Sequence, residues 1–185
     1  MAARQSRPPR QALPDVGILD EAVAERILAA MRTASAMLSA AGIRHALIGG
    51  LAVGAHGYPR ATRDVDFVVG EEAFVRHDGG IVTIAAGVPI AVGDVQIDTL
   101  NVDPAEDFLM DALIHAPKTD GIPVLPIGAL IYMKLKASRQ KDLGDVTELI
   151  KQGLMPVEDV REYLLVHASH MVAKFDRLVD RSDRD

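Results

Sequence analysis

The segment Asp64-Val65-Asp66-Phe67-Val68-Val69 constrains the fold more than any other stretch of the chain. Its alternation is the period-two signature of a strand. On a strand Asp64, Asp66 and Val68 share one face, and Val65, Phe67 and Val69 share the other. Two carboxylates therefore point the same way from a largely apolar strand.

Around it the sequence reads as helix, then a block of short strands, then helices. Ile27, Met31, Ala34 and Leu38 give 20–41 a helical period, with Asp20 as its cap and Gly42 as its stop. His45–Ile48 is a short strand, broken by Gly49-Gly50. Leu51–His56 is a short helix closed by Gly57-Tyr58-Pro59. Glu71–Gly80 is polar and reads as a loop or one helical turn. Ile81–Ala85, Ile90–Val92 and Val95–Leu100 are strand candidates with glycine turns between them. Ala105–His115, Ile127–Ser138, Asp142–Gln152 and Val157–Lys174 are helical. This order predicts an α+β (α/β) chain: a small mixed β-sheet with flanking helices, followed by C-terminal helices. The expected organisation is a disordered leader over 1–17, a core over 18–125, a helical part over 126–175 and a frayed tail over 176–185.

Composition narrows the chemistry. The 185 residues include no Cys, which excludes disulfides, thiolate metal sites and Cys nucleophiles. The formal charge of −6 disfavours broad, non-specific nucleic-acid binding. No apolar run approaches the roughly 18 residues that span a bilayer. The first 14 residues carry three Arg and a Pro pair, without the apolar stretch of a secretory signal. The expectation is a soluble cytoplasmic protein with no membrane contact.

Thirteen residues separate Gly49-Gly50 from Asp64. Two glycines between a strand and a helix let backbone approach a phosphate closely, and a helix start favours an anion. Asp64 and Asp66 repel each other unless a cation lies between them, and oxygen donors suit Mg²⁺ or Mn²⁺. Asp98, in Val95-Gln96-Ile97-Asp98-Thr99-Leu100, completes a metal site if its strand neighbours 64–69. There it can also accept a proton from an attacking hydroxyl. A one-residue slip in register turns it away.

The stretch from Ala46 through Gly49-Gly50 to Arg60-Ala61-Thr62-Arg63-Asp64-Val65-Asp66-Phe67 resembles the DNA polymerase β-like nucleotidyltransferase superfamily. It is most similar to the bacterial branch that includes AbiEii-type toxins. Lys134-Leu135-Lys136-Ala137-Ser138-Arg139-Gln140-Lys141-Asp142-Leu143-Gly144-Asp145 is similar to that branch's Lys-x-x-Ala-x-x-Arg-x-x-Asp-x-x-Asp segment. The likeness spans 43–153. It implies a nucleotidyltransferase-like fold and a metal-dependent transfer of a nucleoside monophosphate from a nucleoside triphosphate to a hydroxyl. The acceptor is RNA (a tRNA end), a protein or a small molecule, in some relatives within a toxin–antitoxin pair. It also implies metal on Asp64, Asp66 and Asp98, and nucleotide contacts from Gly49, Gly50, Arg60, Thr62 and Lys134.

The sequence departs from that pattern in places. Gly-Gly offers no Ser hydroxyl, Arg63 directly precedes Asp64, and the span from Asp66 to Asp98 leaves little room for a full helix. Plainer readings stand beside the functional ones. Asp64 and Asp66 can be a solvated face paired with Arg60 and Arg63. Arg60 and Thr62 can be loop residues, and Lys134, Lys136 and Lys141 a solvated basic face. Asp142 and Asp145 read as structural, with Arg139 paired to Asp142 or Asp145, and His167 and His170 read as an incidental pair. At the level of function, the alternative to an enzyme is a non-catalytic nucleotide- or partner-binding module on the same fold.

Overall fold

The computed structural model describes residues 13–182. In chain order the elements are a 3-10 turn at Val16–Glu21, α1 (Glu25–Ala40), β1 (His45–Leu47), α2 (Gly49–Ala55) and β2 (Val65–Val69). A second 3-10 turn at Glu71–Ala73 leads to β3 (Phe74–Arg76), β4 (Val82–Ile84), β5 (Ala91–Val92) and β6 (Val95–Asn101). Then come α3 (Asp107–Ile114), β7 (Lys118–Thr119), β8 (Ile122–Pro123), α4 (Ile127–Ala137) and α5 (Gln140–Lys151). The described chain ends with α6 (Val157–His167), a 3-10 turn at Ser169–Met171 and α7 (Val172–Ser182).

The central sheet has the strand order β1-β2-β6-β5. β2 and β6 run parallel, and both outer pairs are antiparallel. This is the α+β architecture expected from the sequence, a small mixed sheet with flanking and C-terminal helices. β2 forms the middle because Val65, Phe67, Val68 and Val69 are all buried. α1 turns Ile27, Met31, Ala34 and Leu38 into the core and packs over β1, β2 and β6. A parallel pair needs a crossover, usually a helix. Here the crossover between β2 and β6 carries the β3–β4 hairpin instead.

Several local expectations are corrected. The first long helix starts at Glu25 rather than Asp20, and its N-cap is Ala24. Val16–Glu21 forms its own turn, where the Asp15 carboxylate accepts from the Gly17 N–H at 2.8 Å. Val16 and Leu19 are buried, and Leu19 fills the space that a side chain on Gly54 of α2 would occupy. The expected leader therefore enters the fold by Val16, while residues 1–12 lie outside the described residues.

α2 begins at Gly49, not Leu51. The segment 71–80, expected as a loop or one helical turn, holds a 3-10 turn at Glu71–Ala73 and then β3, which pairs with β4. Val157–Lys174 is not one helix. It breaks at Ala168 (φ −153°, ψ 57°), and a 3-10 turn at Ser169–Met171 separates α6 from α7. The expected frayed tail is helical through Ser182 because Phe175 and Leu178 are buried, and residues 183–185 lie outside the described residues. No described helix is long and apolar enough to cross a membrane.

Candidate active site

Register settles the place of Asp98. In the parallel pair of β2 and β6, Asp66 lies opposite Asp98 and Val68 opposite Leu100. Partners in register share a face, so both carboxylates rise from the same side of the sheet. Asp64 stands just before β2, two residues from Asp66 and again on that side. One carboxylate oxygen from each of Asp64, Asp66 and Asp98 lies within 4.8 Å of the other two. Neighbours fix two of the three. The Thr62 hydroxyl donates to Asp64 Oδ1 at 2.8 Å, and the Gln96 amide donates to Asp98 Oδ1 at 2.7 Å.

Asp66 is the most enclosed of the three in electrostatic terms. Burial pushes its carboxyl up to about 6, and the charges of Asp64 and Asp98 push the same way. Three hard oxygen donors crowded together at this cost to ionisation fit Mg²⁺ or Mn²⁺, which would relieve the repulsion.

The glycine pair makes room for the protein's own groups. Gly49 has φ +66°, and a Cβ built there would lie 1.9 Å from Asp66 Oδ2. The Asp66 carboxylate is thus packed on the bare α-carbon of Gly49. A Cβ on Gly50 would press on the Arg60 guanidinium and the Thr62 hydroxyl, each at 3.3 Å. Gly49→Ala is expected to lower stability by about 1–3 kcal/mol through the left-handed backbone and the overlap. It should also displace Asp66, so that stabilisation by Mn²⁺ falls with it. Urea unfolding with and without Mn²⁺ checks both.

Arg60 and Lys134 are already engaged. Arg60 grips Asp145 with two hydrogen bonds, Nε to Oδ1 at 2.8 Å and Nη2 to Oδ2 at 2.9 Å. Lys134 Nζ donates to Asp145 Oδ2 at 2.7 Å and Asp142 Oδ1 at 3.3 Å. Arg139 Nε donates to Asp142 Oδ2 at 2.7 Å. Lys134, Asp142 and Asp145 are only 5%, 5% and 4% exposed. Burial alone would raise both carboxyls. Their hydrogen bonds to the cations outweigh it and hold both below the usual carboxylate range. Of the two carboxylates offered by the sequence as partners of Arg139, Asp142 takes that role, while Asp145 is held by Arg60 and Lys134 instead.

A cleft of about 400 Å³ lies over the carboxylates. Gly49, Asp66, Asp98, Lys134, Arg139 and Asp142 line it, and Asp64 does not. Arg60 lies outside this lining. Lys141 is a residue that the sequence reading left in a solvated face. Its charge is felt at Asp66, and it has no ion-pair partner among the described residues. Its signal was position, one residue before Asp142, but a lysine beside Lys134 and Lys136 looked like ordinary surface. Gln96 was likewise readable only once the register of β6 was known. His167 is stacked on Phe108 and tilted against Tyr163.

No family model matches the chain, and no curated protein matches it. Among solved structures, an antigenic nucleotidyltransferase-like protein from Paracoccidioides brasiliensis is 16% identical, with 83% of this chain and 94% of that chain covered, at a TM-score of 0.42.

Proposed function

We propose that the chain is a metal-dependent nucleotidyltransferase that moves a nucleoside monophosphate from a nucleoside triphosphate to a hydroxyl. The convergence of Asp64, Asp66 and Asp98 within 4.8 Å carries this reading. Asp64, Asp66 and Asp98 would hold the divalent ion, Mg²⁺ or Mn²⁺. When bound, it neutralises phosphate charge and polarises the phosphorus centre. Gly49, whose missing side chain leaves room for the Asp66 carboxylate, lines the cleft beside it. Lys134 and Arg139 bring cations to the cleft, and Lys141, with no ion-pair partner among the described residues, adds an ammonium whose charge reaches Asp66. Asp98, held by Gln96, takes the proton of the acceptor hydroxyl. The acceptor oxygen bonds to the α-phosphorus as the bond to the bridging oxygen breaks, and pyrophosphate departs. The protein's part is positioning and charge neutralisation.

The acceptor classes are a small molecule, a protein hydroxyl and an RNA end, with a toxin–antitoxin pair as one setting. The charge of −6 weighs against a long polynucleotide. A second reading, a non-catalytic nucleotide- or partner-binding module, draws on the commitment of Arg60 and Lys134 to Asp145 and Asp142.

A thermal-shift titration with Mn²⁺ and each nucleoside triphosphate, on wild type and Asp64→Ala, tests the site. The expected result is a metal-dependent rise in melting temperature, approaching about 2.7 kcal/mol of stabilisation at a hundredfold excess over Kd. The rise is absent in Asp64→Ala. No shift with any nucleotide or metal would defeat the reading.

A further inference from the structure

The cleft over the carboxylates does not end at Asp98. Leu100, Met133 and Ala137 wall both that cleft and a second cavity of about 360 Å³. Its position follows from the strands. Val68 and Leu100 are the next pair on the same face after Asp66 and Asp98, so the floor changes from acidic to apolar in one step. Val102, Leu109 and Met133 continue the apolar lining. Leu100 is 53% exposed at the junction, an unusual place for a large aliphatic side chain. The volume lies in the range of small-molecule sites, about 300–1,000 Å³.

The far end is polar. Glu106 Oε1 accepts from the Tyr132 hydroxyl, and from Lys136 Nζ at 2.5 Å. The side chain of Glu106 is mostly buried, and its Oε2 has no partner among the described residues. Burial and the Glu106 carboxylate push the Tyr132 hydroxyl up, so it stays a donor. Lys136 and Glu106 cancel in charge. One end of the cleft thus meets Lys134, Arg139 and the carboxylates of Asp66 and Asp98, and the other offers a largely apolar chamber, with Asp103 also in its lining and a spare oxygen on Glu106. A nucleotide has that same polarity, a polyanionic end joined to a neutral, ring-shaped one.

Resting on the nucleotidyltransferase reading, we propose that the chamber beneath α4 receives the nucleobase and ribose of the bound nucleotide, and that Glu106 Oε2 selects a base bearing an exocyclic amino group. A carboxylate accepts from the amino group of cytosine or adenine. It repels the carbonyl oxygen that uracil places where cytosine carries its amino group.

The test is calorimetric titration of the full chain, with Mn²⁺, against the α,β-methylene analogues of ATP, CTP and UTP and against inorganic tripolyphosphate. The expected ranking puts the ATP and CTP analogues about tenfold or more tighter than the UTP analogue, and tripolyphosphate weakest. Glu106→Gln is expected to bring the CTP and UTP analogues together and leave tripolyphosphate unchanged. If that variant does not fold, the wild-type ranking decides alone. Tripolyphosphate binding as tightly as the nucleotides would overturn the proposal while the phosphate and metal site stood. Equal affinity for the CTP and UTP analogues would remove the role of Glu106. Absence of binding by every ligand would sink both this proposal and the function it rests on.

Discussion

Asp145→Asn is expected to lower the stability of the chain by about 3–5 kcal/mol, the cost of breaking a buried ion pair from one side. Asn keeps the shape and removes the charge. Arg60 then loses its bidentate partner, and Lys134, 5% exposed, keeps only the 3.3 Å contact to Asp142. For a chain of this size the fall in melting temperature is on the order of 10 °C. Urea unfolding reads the loss directly, as a lower midpoint at unchanged slope. A loss below about 1 kcal/mol would show that the network behaves like a surface ion pair.

The pH dependence follows from the same groups. Asp142 and Asp145 ionise at a lower pH in the folded chain than in the unfolded one. Their stabilisation is present above the unfolded carboxylate value, and it is lost as pH falls through their depressed folded values. Asp145→Asn should therefore flatten the acid limb of the stability curve.

Asp66→Asn is expected to do two opposite things. It removes a metal ligand, so the rise in melting temperature with Mn²⁺ disappears, and transfer activity falls by several orders of magnitude. Without metal, however, it should make the protein more stable at neutral pH. The Asp66 carboxyl is raised to about 6, mainly by burial and then by Asp64 and Asp98. Below the unfolded value both states hold the proton, and the variant gains nothing. As pH rises towards 6 the unfolded chain releases its proton first, and the folded state is progressively penalised. Above that the penalty is complete. Allowing for partial exposure, the gain for Asn is about 1–2 kcal/mol at pH 7 to 8 and close to zero near pH 3. Apo unfolding at those two pH values measures it. An apo variant less stable than wild type at neutral pH would contradict the crowded-carboxylate account.

Much of this was legible along the chain. Period-two alternation placed β2, and the acidic pair on it, because a strand's faces are written into a single segment. α4 and α3 were legible for the same reason at helical period. Asp98 was readable as a residue but not as a neighbour. Which strand lies beside β2, and in which register, depends on pairing across the crossover, and no local pattern encodes that. β4 falls within the strand expected at 81–85, but its partner β3 was not legible, because Phe74–Arg76 is short and Val75 is exposed, so burial left no alternation to read. The partners of Arg60 and Lys134 were hidden by distance in sequence, and the same charges looked equally suited to phosphate. The break at Ala168 was hidden as well, because both segments around it are helical.

The tie between Arg60 and Asp145 also has a consequence for how the chain is made. The two residues are 85 apart in sequence, and Asp145 is translated long after the carboxylate strand. Until α5 emerges, Arg60 lacks its carboxylate partner, and Lys134 has neither of its carboxylates. A nascent chain stopped before Gln140 would hold two cations that the finished core buries as pairs. The charge network beside the site therefore closes only when the helices that follow the sheet are made. Ribosome-bound chains arrested before and after α5 should differ sharply in protease resistance at the 60–64 loop.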